Sequence, residues 1–330
     1  MYIMIVARGY PTEKYKMNGI FEFDQAKALA KTGHKVVFAA VDVRSIRRWR
    51  KWGIERKEID GVKIYAINIP IGKVPKGIPE DIRQKISTWG LNSLYKKILK
   101  EQGRPDIMHA HFANMGFTAS KLKNKNNIPL IITEHLSTMM KPTIDNRLSQ
   151  IAGHAYESAD ALITVSPELK EVIKRRFNKD AIFIPNIVDT KLFTYVSNEN
   201  NDVFRFVSIG NLIYSKRMDL TVEAFARLFK YNEKVELVIF GEGPERNNLD
   251  HLIQKHNIST KVKLMGLQSR KTISEYLKKS DCFVLASRAE TFGVVYIEAL
   301  ASGVPVIATK CGGPESFVNE KNGIFVPVDD

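Results

Sequence analysis

Short apolar runs and amphipathic stretches alternate along the chain. Tyr2 to Ala7 is apolar, and Gly9-Tyr10-Pro11 breaks it. Phe21 to Lys31 then places apolar residues at helical spacing (Phe21, Ala26, Ala28, Leu29) before Thr32-Gly33 stops it, and Lys35 to Val41 reads as the next strand. The pattern predicts further strands at 62–67, 107–110, 130–133, 161–165 and 182–184, and helices at 87–101, 118–123, 152–158 and 167–177. Ser166-Pro167 opens the last of these helices, with Ser as N-cap and Pro at the first helical position. The segment 189–202, which contains Ser197-Asn198-Glu199-Asn200-Asn201-Asp202, is polar and reads as a linker. The alternation restarts after it, with strands at 204–209, 235–240, 262–265, 282–286 and 304–308 and helices at 219–229, 244–255, 272–278 and 293–301. Buried strands alternating with helices predict an α/β fold with parallel sheets covered on both faces. The linker divides the chain into expected domains 1–190 and 191–330, with a cleft between them and ligands beyond the carboxyl ends of the strands.

Composition adds exclusions. With 330 residues, 44% hydrophobic and 26% charged, the chain is long enough for two cores and is neither disordered nor collagen-like. No apolar run approaches the ~20 residues that cross a bilayer. The N-terminus lacks a basic leader region and reads as a first strand. Two cysteines, Cys282 and Cys311, give neither a disulfide framework nor zinc spacing, which fits a reducing cytoplasm. The net charge of +14 lies wholly in residues 1–185, which carry 32 Lys and Arg against 18 Asp and Glu. That half is expected to meet something anionic.

The sharpest chemical unit is Ser287 to Glu298, which follows a buried strand and opens a helix. A helix N-terminus in that place offers unpaired N–H groups and a positive dipole end to a phosphate. Gly293 lets a ligand approach the backbone closely. Glu290 lies just outside the helix and Glu298 about one and a half turns inside, where carboxylates can accept hydrogen bonds from sugar hydroxyls. Lys216 follows the loop at Gly210 and can neutralise a departing diphosphate. His109 and His111 follow a strand at spacing two and are expected on opposite faces, so only one faces a cleft. His111, nearer the carboxyl end, is the choice, with His135 as a second candidate. No third ligand lies nearby, and no metal is expected. The stretch 44–57 holds seven cationic residues against one Glu, with Trp49 and Trp52 interleaved. Read as a helix, it puts Arg44, Arg48 and Lys51 on one side and Ile46, Trp49 and Trp52 along an apolar strip. Such a helix suits the inner, anionic face of a membrane, with Arg47, Arg48, Trp49, Arg50, Lys51 and Trp52 as the contact residues.

The pair Glu290 and Glu298, seven residues between them, resembles the paired-glutamate motif of retaining glycosyltransferases of family 4. Ser208-Ile209-Gly210-Asn211-Leu212-Ile213-Tyr214-Ser215-Lys216 is similar to that family's Gly-Arg-Leu…Lys segment, and Phe240-Gly241-Glu242-Gly243-Pro244 to its glycine turn. Ile184-Pro185-Asn186-Ile187-Val188-Asp189, Gly312-Gly313-Pro314-Glu315, Asn322-Gly323, Gly19, His109-Ala110-His111, Thr133-Glu134-His135 and Val165-Ser166 follow in the family's order. The resemblance implies the GT-B architecture of two facing Rossmann-like domains. It implies an acceptor site in the first domain, touching His135 and Ser166. It implies a UDP- or GDP-sugar site mainly in the second, with Asn211, Arg217, Gly241, Gly243, Phe292, Gly293, Val294 and Glu298 around the donor. Gly19 would let a first-domain loop approach the phosphates. His111, Lys216 and Glu290 would carry the chemistry, without a metal or other cofactor.

Two departures stand out. Asn211 replaces an Arg that would be a bidentate phosphate donor, and Arg217 is the candidate for the missing charge. The sequence also stops at Val328-Asp329-Asp330, where the family usually continues for several helices, so it is expected to be truncated. The leading expectation is a sugar transferase acting in cell-envelope or exopolysaccharide synthesis on a glycan or lipid-linked acceptor. A sugar-nucleotide epimerase or phosphorylase on the same architecture is the second reading. A nucleic-acid-binding protein is a third, but no nucleic-acid motif accompanies the basic half, and nucleic acid is not expected as a partner. No G-x-G-x-x-G follows either first strand, which disfavours a dehydrogenase.

Overall fold

The computed structural model describes residues 1–13, 15, 17–45, 51–71, 79–197 and 202–330. The chain divides into two compact units, Met1–Ile187 and Val188–Asp330. The first contains, in order, β1 (Tyr2–Ala7), α1 (Ile20–Lys31), β2 (Lys35–Ser45), β3 (Gly53–Ile59), β4 (Val62–Ile71), α2 (Glu80–Gln102), β5 (Ile107–His111), α3 (Phe112–Asn126), β6 (Leu130–Glu134), α4 (Asn146–Ser158), β7 (Ala161–Thr164), α5 (Pro167–Phe177) and β8 (Ile182–Phe183). Its sheet order is β3-β4-β2-β1-β5-β6-β7-β8, parallel except for the β3–β4 pair. The second contains β9 (Phe204–Ile209), α6 (Met218–Phe229), β10 (Val235–Phe240), α7 (Arg246–Lys255), β11 (Val262–Leu264), α8 (Arg270–Leu277), β12 (Cys282–Leu285), α9 (Val294–Ala301), β13 (Val306–Thr309) and β14 (Gly323–Val326), in a parallel sheet ordered β11-β10-β9-β12-β13-β14. Both units are the expected Rossmann-like α/β domains of the GT-B fold. β1 is buried along its whole length, as the uninterrupted apolar run Tyr2 to Ala7 requires of a central parallel strand.

The division falls close to the expected linker, yet that segment begins inside the second unit's core. Phe193 is fully buried there, and Leu192 O accepts a 2.6 Å hydrogen bond from Ser274 Oγ of α8. Residues 198–201 lie outside the described set.

The helix expected over 44–57 is not what forms. Arg44 and Ser45 end β2, and residues 53–57 belong to β3, which runs antiparallel to β4 and forms the edge of the sheet. The cause is Asp60-Gly61, both at positive φ (51° and 77°), a two-residue turn between the paired residues Ile59 and Val62. Charged Glu55, Arg56, Lys57 and Glu58 on this edge discourage pairing with another chain. Of the proposed membrane contacts, Arg47, Arg48, Trp49 and Arg50 lie outside the described residues, while Lys51 and Trp52 are exposed just before β3. No helix among the described residues is long and apolar enough to cross a membrane. α2, α3 and α4 begin at least six residues before their apolar periodicity does. α4, for example, is started by Asp145, whose carboxylate accepts from the N–H groups of Arg147 (2.9 Å) and Leu148 (3.2 Å).

Candidate active-site groups in the two units

In the second unit the segment after β12 meets the loop after β9. The Lys216 ammonium, at the end of a single 3-10 turn (Tyr214–Lys216), forms a short ion pair with Glu290 Oε1. Ser287 Oγ donates to the same oxygen at 2.8 Å. The backbone locks this contact from both sides: Arg288 N–H donates to Ser215 O at 2.9 Å and Glu290 N–H to Cys311 O at 3.1 Å. Ser287 opens the unit that the sequence marks, but the sequence gives it no role of its own. The signal for one was its position two residues beyond the buried strand β12.

Gly293, three residues on, is the N-cap of α9 at φ 88° and makes no side-chain cap, while the N–H of Tyr296 donates to Gly293 O at 3.0 Å. A Cβ at Gly293 would sit 2.6 Å from the ring of Tyr296, and Phe292 and Val294 beside it are buried. Lys216, Glu290, Ser287 and the start of α9 thus form one charged, partly shielded cluster at the carboxyl end of a parallel strand, where α/β folds bind ligands.

Other expected donor contacts are occupied by the fold itself. Glu298 is only 5% exposed, and its Oε1 accepts from Arg270 Nη2 (2.6 Å) and Nε (3.1 Å). Arg270, the first residue of α8, lies over the Phe193 ring at 5.1 Å. Nothing in the sequence pattern marked it as a partner of Glu298. The Arg217 guanidinium is held by Asp219 at 3.0–3.2 Å and paired with Asp329, and its backbone is left-handed at φ 47°. Asn211 is exposed. Gly241 and Gly243 pack against the loop after β9, where a Cβ would lie 1.8 Å from Gly210 O and 2.2 Å from Leu212 O respectively.

In the first unit His109, His111 and His135 form a stack. Ring centroids are 4.6 Å apart for His109 and His111 and 5.2 Å for His111 and His135. The two histidines of β5 therefore share a face, contrary to expectation, because two residues is one full side-chain period of a strand. His111 Nδ1 bonds His135 Nε2 at 3.0 Å, and His109 Nε2 bonds Thr133 Oγ1 at 2.7 Å. Burial holds His109 down to about 4 and His135 to about 3, and lowers His111 well below the ordinary histidine range. All three are neutral at pH 7. His111 Nε2 is buried without a hydrogen-bond partner among the described residues.

Glu134, fully buried, organises this end of the sheet. Its carboxylate accepts from the N–H groups of Ala113 (2.9 Å), His135 (2.8 Å) and Leu136 (2.8 Å) and from Tyr156 OH (2.6 Å). Phe112, the first residue of α3, has φ 68°, strained for an aromatic residue, with the Arg8 guanidinium 3.8 Å over its ring. Ser166 is fully buried and serves as the α5 N-cap, accepting from Leu169 N–H at 3.2 Å. Gly19 is the α1 N-cap at φ 66°, and a Cβ there would meet Gly9 O at 2.1 Å. Among the described residues no group of three or more His, Cys, Asp or Glu is placed to hold a metal ion.

Comparison with known proteins matches residues 23–192 to the Glycosyltransferase Family 4 model and residues 190–330 to the model for glycosyl transferases group 1. An uncharacterized glycosyltransferase of Methanocaldococcus jannaschii is 29% identical over 234 residues, 70% of this chain and 63% of its own. TuaC of Bacillus subtilis, whose name assigns it to teichuronic acid biosynthesis, is 25% identical over 99% of this chain and 85% of its own. Among solved structures, a sucrose-phosphate synthase from Thermosynechococcus elongatus superposes with a TM-score of 0.78 at 22% identity, over 99% of this chain and 86% of that one. The chain spans less than two thirds of the length of the first curated relatives it matches.

Proposed function

The chain belongs to glycosyltransferase family 4, and from that premise we propose that it is a retaining transferase, moving a sugar from a UDP- or GDP-sugar to a glycan or lipid-linked acceptor in cell-envelope or exopolysaccharide synthesis. The observation that carries this reading is the cluster of Lys216, Glu290 and Ser287 beside the uncapped start of α9. The likeness to TuaC supports the envelope assignment.

In this reading the second unit binds the donor. The N–H groups at the start of α9 take the diphosphate, and Lys216 turns from Glu290 to the leaving phosphate, where negative charge grows as the anomeric C–O bond breaks. Glu290, released from Lys216 but still held by Ser287, accepts the hydroxyls of the transferred sugar. The acceptor hydroxyl attacks from the face the diphosphate leaves. Its oxygen forms the new glycosidic bond, and its proton goes to the departing phosphate oxygen. The first unit binds the acceptor, and the neutral His111, with Nε2 unengaged, hydrogen-bonds a sugar hydroxyl. Catalysis is then positioning and charge stabilisation. No metal takes part, so turnover withstands EDTA.

Calorimetry across the common UDP- and GDP-sugars tests the reading. Binding of one of them, with transfer to an added acceptor, is expected. Absence of binding to any refutes it, and consumption of the nucleotide sugar without transfer favours the epimerase reading instead.

A further inference from the structure

α2 carries apolar side chains on two opposite faces, although a helix that packs on one side needs only one such face. The inner face holds Leu91, Leu94, Tyr95 and Ile98, all buried in the first unit. On the outer face Ile82, Trp89 and Leu99 are 49%, 53% and 43% exposed. At 3.6 residues per turn these three fall with the exposed Lys85, Lys96 and Lys100 inside an arc of about 100°, in a row that runs ~27 Å along the helix.

The charges in this row have one sign. Lys85, Lys96 and Lys100 have no carboxylate partner among the described residues, whereas every acid of α2 is engaged elsewhere. Glu80 meets Arg83 (3.5 Å) and Gln84 (2.9 Å), Asp81 pairs with Arg147, and Glu101 meets Arg56 (3.0 Å), Lys97 (3.3 Å) and Tyr65 (2.9 Å). A helix face that only meets water is supported by opposite charges four residues apart and opposed by like ones, and Lys96 and Lys100 are such a like pair. Beside the row, a cavity of about 840 Å³ is lined by Lys85, Trp89, Phe117 and Lys121. The Lys121 ammonium lies 4.6 Å from the centre of the Phe117 ring and 3.2 Å from Nε2 of His154, which burial holds below the ordinary histidine range. The Asp81–Arg147 pair also lines the cavity and adds no net charge, so the cavity too is positive.

From this row we propose that α2 is the face by which the protein docks on an anionic phospholipid surface. Ile82, Trp89 and Leu99 enter the boundary between head groups and acyl chains, where a tryptophan ring is well suited. The lysines lay their methylene stems along these side chains and hold their ammonium groups at the lipid phosphates. The cavity beside Trp89 has room for one head group, with Lys85 and Lys121 to meet its phosphate. Nucleic acid would pair the lysines but leave Ile82 and Leu99 without an apolar partner. Residues 53–57, part of the stretch expected to play this role, belong to β3 instead, and the row of cations and apolar side chains lies on α2. The inference goes beyond the transferase reading and does not depend on it, since it concerns neither donor nor acceptor.

The test is co-sedimentation with phosphatidylcholine vesicles, with and without phosphatidylglycerol, at 0.1 M and 1 M salt, where the Debye length falls from ~10 Å to ~3 Å. The protein should pellet only with phosphatidylglycerol present and at the lower salt. Lys85→Gln, Lys96→Gln and Lys100→Gln together should weaken binding about 100-fold, the equivalent of ~2.8 kcal/mol, while the same change at Lys31, Lys125 and Lys170 leaves it within about threefold. The chain has three tryptophans, so Trp49→Phe with Trp52→Phe leaves Trp89 as the sole reporter, and its emission should shift to the blue on the same vesicles. The fluorescence measurement needs no lysine substitution and decides the matter even where a lysine variant melts early. Equal losses from the two sets of lysines, or no pelleting at all, overturn the inference, as does a Trp89 emission that the vesicles leave unchanged. Pelleting lost in the Trp49→Phe, Trp52→Phe chain assigns the contact to residues 44–57 and also overturns it. Duplex DNA held by Lys85, Lys96 and Lys100, without vesicle binding, overturns it in favour of nucleic acid.

Discussion

Gly243→Ala separates two readings of the glycine turn after β10. As a phosphate cradle, the turn needs glycine only when a nucleotide is present. As packing, it needs glycine always. A Cβ at Gly243 would lie 2.2, 2.7 and 3.0 Å from the O, C and N of Leu212, all backbone atoms that cannot swing aside. Leu212 is also tied to the same turn by its N–H to Glu242 O (3.0 Å) and its O from Glu245 N–H (3.0 Å). Overpacking of this kind costs about 1–3 kcal/mol, and one distorted hydrogen bond adds about 1 kcal/mol. Gly243 is not among the positive-φ glycines, so the lost freedom of the unfolded chain returns ~0.4–1 kcal/mol. The net is a loss of about 2 kcal/mol, or a fall of about 6 °C in Tm for a unit of this size. Gly153→Ala, in α4 with only a Phe177 contact at 3.8 Å, is the control and should hold or raise Tm. The assay is a circular-dichroism melt without ligand, followed by calorimetry with UDP and GDP. If Gly243→Ala melts with the wild type yet binds no nucleotide, the packing argument is wrong.

Lys216→Ala should lower kcat about 10²–10³-fold with little change in the donor KM, since its charge acts on the leaving group; equal effects on both would remove that role. Glu298→Gln should destabilise the protein by about 3 kcal/mol by stranding the Arg270 guanidinium, and Glu298→Leu combined with Arg270→Leu should recover most of it in urea titrations. Burial depresses His109 and His135 in the folded state to about 4 and 3, so the unfolded chain, at the ordinary ~6.5 of histidine, binds the protons first as pH falls. Their stabilising share is complete above pH 6.5 and should be lost between about pH 6.5 and 3–4, at ~1.4 kcal/mol per pH unit for each group in the middle of that window. Urea titrations of His135→Gln at pH 6 and 5 should show a slope smaller by one proton, and an unchanged slope would contradict the burial argument.

The alternation of strands and helices was legible because buried parallel strands such as Tyr2–Ala7 are uninterrupted apolar runs, and their crossover helices have one apolar face. The edge was not. In β3, Glu55 to Glu58 are four charged residues in a row, and density of charge invited a solvated helix. Yet Asp60-Gly61 between Ile59 and Val62 is the strongest short-range sign of a hairpin, and it outweighs a helical spacing of tryptophans. β14 escaped notice because Gly323 to Val326 is only four residues and starts on a glycine.

For the site, the sequence identified residues but not their partners, since the contacts span long separations: 74 residues from Lys216 to Glu290 and 28 from Arg270 to Glu298. Pairing changes what each residue is able to do. Ser166 caps a helix, Gly19, Gly241 and Gly243 make room for neighbouring backbone, and Glu298 neutralises a partly buried guanidinium, so each is explained before any ligand arrives. His111 Nε2 and Asn68 Oδ1 are the opposite: buried polar atoms with no hydrogen-bond partner among the described residues, the first on the middle ring of the histidine stack. Lys216 and Glu290 lie between these extremes, since their pair neutralises each while, in the proposed reading, both charges exchange for a phosphate and a sugar. Substitutions that remove the Lys216 charge should therefore alter stability and turnover together, since they leave the Glu290 carboxylate without its cation.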